Sequence, residues 1–208
     1  KDNQPSIIVE KAFPDLGKYI RYKGVKINTF SVDYGQDSEM TFKYGVMGAS
    51  REQDSAAYDS AAKAAKLLRI AQNHAYIKID GTESRIVKEG SLEINANLDG
   101  DQYVVGGGGV RGDIPEGLMK VSGSLKALFT STEWMDKADT GAAVAMEIGF
   151  KLDENTSLVF ALPTVQFEPF DAQISGPAGV VVDVKWRAFS ADGTSIVTTT
   201  LKNQQETY

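Results

Sequence analysis

Few residues in this chain have the types and spacing that could do chemistry. Gly106-Gly107-Gly108-Gly109-Val110-Arg111-Gly112 offers a run of backbone N–H groups that could cradle a phosphate. Such a loop needs a strand before it, a helix after it and, in the nucleotide-binding type, a Gly-Lys-Ser/Thr close. Asp113-Ile114-Pro115 follows instead, so the run reads as a plain loop. Asn95, Asn97, Asp99 and Gly100 match early positions of a calcium loop, yet Gly106 stands where a bidentate glutamate is required. Ser60-Ala61-Ala62-Lys63 has the serine-to-lysine spacing of penicillin-recognising enzymes but lacks their Lys-Thr-Gly and Ser-Asp-Asn partners. His74 is the single histidine and has no evident nucleophile or orienting acid beside it. None of the 28 acidic residues sits in an apolar cluster that would raise its pKa for acid catalysis. Trp134 and Trp186 read as packing anchors. The reading is of a protein without catalytic residues, metal or cofactor.

The totals point the same way. The chain has 208 residues and no cysteine, which excludes disulfides and thiolate sites. No apolar run reaches the length of a membrane span, and the first residues lack the apolar core of a signal peptide. A formal charge of −6 argues against a grip on nucleic acid.

What must position these residues is mostly strand. Val25 and Ile27 share one face, whereas Phe30, Val32 and Tyr34 follow the opposite phase, so a bulge or bend is expected near Asn28-Thr29. Met40, Phe42, Tyr44 and Val46 alternate with polar residues, and the apolar set is expected to be buried. Residues 50–72 are alanine-rich, and Ser50 with Gln53 has capping-box spacing, which predicts a peripheral helix there. Period-two patterns return at 76–80, 91–98, 119–129, 142–152, 157–167, 180–189 and 194–201, with a short helix expected at 132–139. Pro163 within one of these runs predicts an edge or a bulge. The sum is an all-β protein, a β-sandwich or split barrel with one or two short flanking helices.

The order of these segments resembles the tail tube proteins of long-tailed bacteriophages over roughly residues 22–200. The residues that carry the resemblance are Gly24-Val25-Lys26-Ile27 through Gly48, Ile77-Lys78-Ile79-Asp80-Gly81, and Gly90-Ser91-Leu92-Glu93-Ile94-Asn95-Ala96-Asn97. Val121-Ser122-Gly123-Ser124-Leu125-Lys126-Ala127-Leu128-Phe129, Leu162-Pro163-Thr164-Val165-Gln166-Phe167 and Ser175-Gly176-Pro177-Ala178-Gly179 complete the series.

The resemblance implies a structural subunit forming rings of about six copies that stack into a hollow tube. It implies no cofactor, no membrane and a place in the virion tail after assembly in the host cytoplasm. The expected partners are further copies of the chain, the tape-measure, terminator and distal tail proteins, and DNA passing transiently through the lumen. On this reading residues 1–18 form an N-terminal arm, 19–201 the β-sandwich domain with a long inter-strand segment at 49–75, and 202–208 a tail. Ile7, Ile8, Val9 and Phe13 are the candidate inter-subunit contacts of the arm, because adjacent β-branched residues sit poorly in free solvent. Ser50, Tyr58 and Leu68 mark the segment that the family directs toward a neighbouring ring. Glu39, Glu89, Glu93 and Glu147 are the candidate lumen-facing acids, since a basic wall would trap DNA by counterion release. The alternatives are the tube protein of a contractile tail or secretion system, and a sandwich module binding sugar or protein.

Overall fold

A computed structural model describes residues 4–35, 40–63, 70–173, 179–191 and 193–203. Glu39, Leu68, residues 36–38 and 174–178 and most of 202–208 lie outside them. The described residues form strands with one short α-helix, so the all-β expectation holds. They group into two compact units: residues 1–30, 43–68 and 95–119, and residues 31–42, 69–94 and 120–208.

The second unit holds most of the core. Its strands are the end of β2 (Lys18–Gly35), then β5 (Ala75–Ile79), β6 (Thr82–Glu83), β7 (Val87–Asn95), β8 (Lys120–Leu128), β9 (Ala143–Lys151), β10 (Ser157–Phe167), β11 (Val181–Ala188) and β12 (Thr198–Lys202). The order is β2-β7-β8-β11-β10-β9-β5-β6, with β12 on β10. β10 divides its edge between two partners: residues 157–161 face β12, and residues 165–167 face β11. Its pairing with β9 slips between Leu162 and Val165, which places the expected bulge at Pro163. Alternation on β9 puts Val144, Met146, Ile148 and Phe150 inside, where Phe150 meets the rings of Tyr34, Phe42 and Phe160. β5 and β6 join through Asp80-Gly81, both at positive φ (50° and 79°), the backbone that a two-residue hairpin turn demands. Asp80 also accepts from Ala145 N–H and from Lys137, which lies on α1 (Glu133–Thr140). Trp134 of α1 packs on Phe167 with ring centroids 5.6 Å apart.

Tyr34, like Trp186 with its Nε1, carries an unmet polar group in this core. Its ring is buried and its hydroxyl has no hydrogen-bond partner among the described residues. Burial pushes its pKa far above that of a free phenol. The unfolded phenol ionises near pH 10, so above that pH the unfolded state holds one proton fewer than the folded state. Stability then falls by about 1.4 kcal/mol per pH unit from this residue. Tyr34→Phe is expected to gain about 1 kcal/mol at neutral pH by removing an unsatisfied hydroxyl. It should also flatten the alkaline limb. Urea melts of both proteins at pH 8 and pH 11 check this; equal losses in the two proteins would refute it.

The first unit is built on the earlier part of β2. β1 (Ile7–Phe13) and β4 (Ser50–Asp54) pair antiparallel with residues 18–25 and 19–23 of β2, and β3 (Thr41–Met47) pairs with β2 as well. Val25 is buried in one phase, and Val32 and Tyr34 in the other. The change of phase therefore falls between Val25 and Val32, a span that includes Asn28. Asn28 serves both its groups there, its C=O accepting from Ala96 N–H and its Oδ1 from Leu98 N–H.

Two expectations are corrected. Residues 50–54 are strand rather than helix, and 55–63 are turns and bends. Cross-strand charge explains the difference: Arg21 pairs with Asp54 at 2.6 Å and Lys23 with Glu52 at 2.8 Å, and β2 supplies a backbone edge that local helix propensity cannot match. Tyr44 and Val46 alternate as expected but lie exposed, at 59% and 50%, instead of packing into this chain's core. Tyr44 rests on Phe30, centroids 5.2 Å apart.

Candidate self-assembly surface

The two units divide apolar surface very unevenly. Of the 23 buried apolar residues described, only Val25, Leu98 and Ile114 belong to the first unit. Of the sixteen exposed large apolar side chains, thirteen belong to it; Leu128, Phe189 and Leu201 are the others. Large exposed apolar patches mark surfaces that partners cover, and this unit is where such side chains concentrate.

β1 supplies part of that surface. Within the expected arm, residues 7–13 form a strand that folds back on β2 through the turn at Pro14–Leu16 and Gly17. Ile7, Ile8 and Phe13 remain 48%, 41% and 45% exposed, and Val9 is half-buried. β1 ends the strand order, so its outer backbone edge is unpaired among the described residues.

A charged hub fixes this surface. Arg21 donates to Glu10 Oε2 (2.7 Å), Asp54 Oδ2 (2.6 Å) and the Ala56 carbonyl, and its guanidinium lies 5.5 Å from the Tyr58 ring centroid. Glu10 in turn accepts from Tyr58 N–H at 3.0 Å. Backbone N–H groups of Ser55 and Ala56, with Arg21 beside them, hold the Asp54 carboxyl below the usual carboxylate range. Ser50 therefore opens β4, and Tyr58 stands exposed just beyond it on a pinned turn. No sequence signal marks the hub, because its members come from three separate strands.

The same unit contains a cleft of about 480 Å³ lined by Val9, Lys11, Tyr22, Val25, Val46, Gly48, Ala49, Ser50, Arg51, Gly109 and Arg111. Beside it the glycine run at 106–109 forms turns, with Gly106, Gly108 and Gly109 at positive φ. Its base is closed by a bridge between Tyr103 and Arg111.

The candidate acids that are described fall in the second unit. Glu93 is exposed on β7. Glu89 pairs with Lys126 at 2.7 Å, and Glu147 with Lys78 at 2.8 Å. The hydrogen bond from Lys78 lowers the Glu147 pKa, against the opposing effect of burial. The wet residues of β8 and β11 include Lys126, Lys185 and Arg187 beside Asp183, so this face mixes both signs.

Among the described residues no cluster of three His, Cys, Asp or Glu side chains could hold a metal. His74 Nδ1 accepts from Ala71 N–H within its own turn. No described helix is long and apolar enough to cross a membrane. Strands throughout and a concentration of exposed apolar side chains in one unit define the class, an all-β protein. A family model described as phage tail tube protein matches residues 3–188, and the chain belongs to that family. It is accordingly a structural component of the phage tail, located in the virion. A comparison with curated proteins gave no match.

Proposed function

We propose that copies of this protein close into rings of about six and that the rings stack into a tube whose lumen conducts the genome. The observation that carries the reading is the division of apolar surface: the second unit has its own core, while the first exposes thirteen large apolar side chains. Covering them with neighbouring copies offsets the cost of ordering the assembly. The unpaired edge of β1 adds backbone groups that a neighbouring strand can meet. The role is structural rather than catalytic. In the assembled tail the tape-measure, terminator and distal proteins are its proposed neighbours. DNA meets it only in passing, at a lumen wall to which Glu89, Glu93 and Glu147 contribute. Negative-stain microscopy of concentrated protein tests the proposal. Rings or tubes of uniform bore are expected, and discrete monomers at every concentration would overturn it.

A further inference from the structure

The loop that carries the glycine run ends in apolar groups with nothing to cover them. Val105 is fully exposed, Val104 is 53% and Val110 40% exposed, and no charged residue lies between Gln102 and Val110. The loop is nevertheless held firmly. Arg111 donates through Nη1 to the Gly48 carbonyl (2.6 Å) and through Nε to the Gly100 carbonyl, with its guanidinium 4.9 Å from the Tyr103 ring. Within the tip, Gly107 N–H reaches Val104 C=O and Val110 N–H reaches Gly107 C=O. A tip fixed in this way loses little freedom on docking.

The cleft beside the loop base is of matching chemistry. Val9, Tyr22 and Val46 give it apolar walls, the small residues Gly48 and Ala49 keep it open, and Lys11 and Arg51 put cations among its lining groups. The loop's own valines do not fill it: Val104 and Val105 are exposed, and only Gly109 of the tip joins the lining. Asp101 and Asp113 flank the tip, exposed and opposite in sign to the cleft's cations.

We infer that the Val104-Val105 tip of one copy seats in the cleft of the next, with Asp101 and Asp113 meeting Lys11 and Arg51. The inference rests on the self-assembly reading above and names the contact that propagates it. Knob and cleft are made of different residues of one unit, so copies docked head-to-tail form a heterologous contact, and the series closes into a ring or runs on as a filament. Leu16 and Leu118, the aliphatic groups next in exposure after Val105, each offer one side chain, whereas a cleft of about 480 Å³ has room for more than one.

The chain has no native cysteine, so engineered pairs give a clean test. Val105→Cys and Val46→Cys proteins, one carrying a size tag, are mixed and oxidised mildly. A mixed disulfide dimer is expected on a non-reducing gel. In parallel, Val105→Arg removes the knob and Val46→Arg blocks the cleft. Both positions are exposed, so circular dichroism should show native folds. Each variant alone should need at least about tenfold more protein to assemble than wild type. Mixed, they should stop at one-to-one dimers, because one intact knob meets one intact cleft. If wild type forms tubes while Val105→Arg forms them equally well and no mixed disulfide appears, the inference falls and the tube reading stands. Wild type that stays monomeric, with no cross-linked species, sinks both.

Discussion

Gly123→Ala is expected to cost about 3 kcal/mol, a large share of the roughly 5–15 kcal/mol that holds a domain together. Gly123 lies on β8 directly opposite Trp186 of β11. A Cβ built there would overlap the Ser91 carbonyl oxygen on one side and the six-membered part of the indole on the other. Neither can yield cheaply. Ser91 lies on β7, the strand hydrogen-bonded to β8, so shifting its carbonyl strains that ladder. Trp186 is 1% exposed, with Val121, Leu125 and Val184 among the other buried residues of β8 and β11. The internal control is Gly179→Ala, where a Cβ meets nothing within 4 Å and the effect should stay within about 0.5 kcal/mol. Urea denaturation of the three proteins decides the matter. A Gly123→Ala midpoint equal to wild type would mean that β8 and β11 do not pack as described.

That glycine shows where sequence reading succeeds and where it stops. Its place on a strand is legible, because Val121, Leu125 and Ala127 alternate around it and all three are buried. The need for glycine is not, since the indole that excludes a Cβ comes from 63 residues later. The same limit explains residues 50–54. Local composition favours helix, and the deciding partners Arg21 and Lys23 lie on another strand. The Arg21 hub leaves no local sign for this reason, whereas Asp80-Gly81 makes its turn from its own residues.

Tyr44 and Val46 expose a subtler limit. Alternation establishes that a strand has an apolar face, but not whose atoms cover it. A strand packed in its own core and one packed against a sister copy carry the same pattern. On the proposed assembly, the misplaced expectation for Tyr44 and Val46 and the exposed side chains of β1 have one cause. The surplus apolar positions of the first unit are what an assembling subunit requires, and they look like ordinary core in the sequence.

Replacing Ile7, Ile8 and Phe13 together with serine is expected to abolish assembly at working concentrations while leaving the fold in place. The three side chains are 41–48% exposed, so roughly half of each remains to be covered by a partner. Completing that burial is worth about 1 kcal/mol per residue, or about 3 kcal/mol for each copy added. The concentration needed to form tubes should then rise by about two orders of magnitude. Folding should hardly register the change. β1 keeps its backbone ladder to β2 and its Glu10–Arg21 pair, and none of the three residues belongs to the buried core. Thermal melts of the dissociated protein and sedimentation across a concentration series separate the two effects. A variant that melts far below wild type would make these residues part of the fold. One that assembles as readily as wild type would remove β1 from the contact surface.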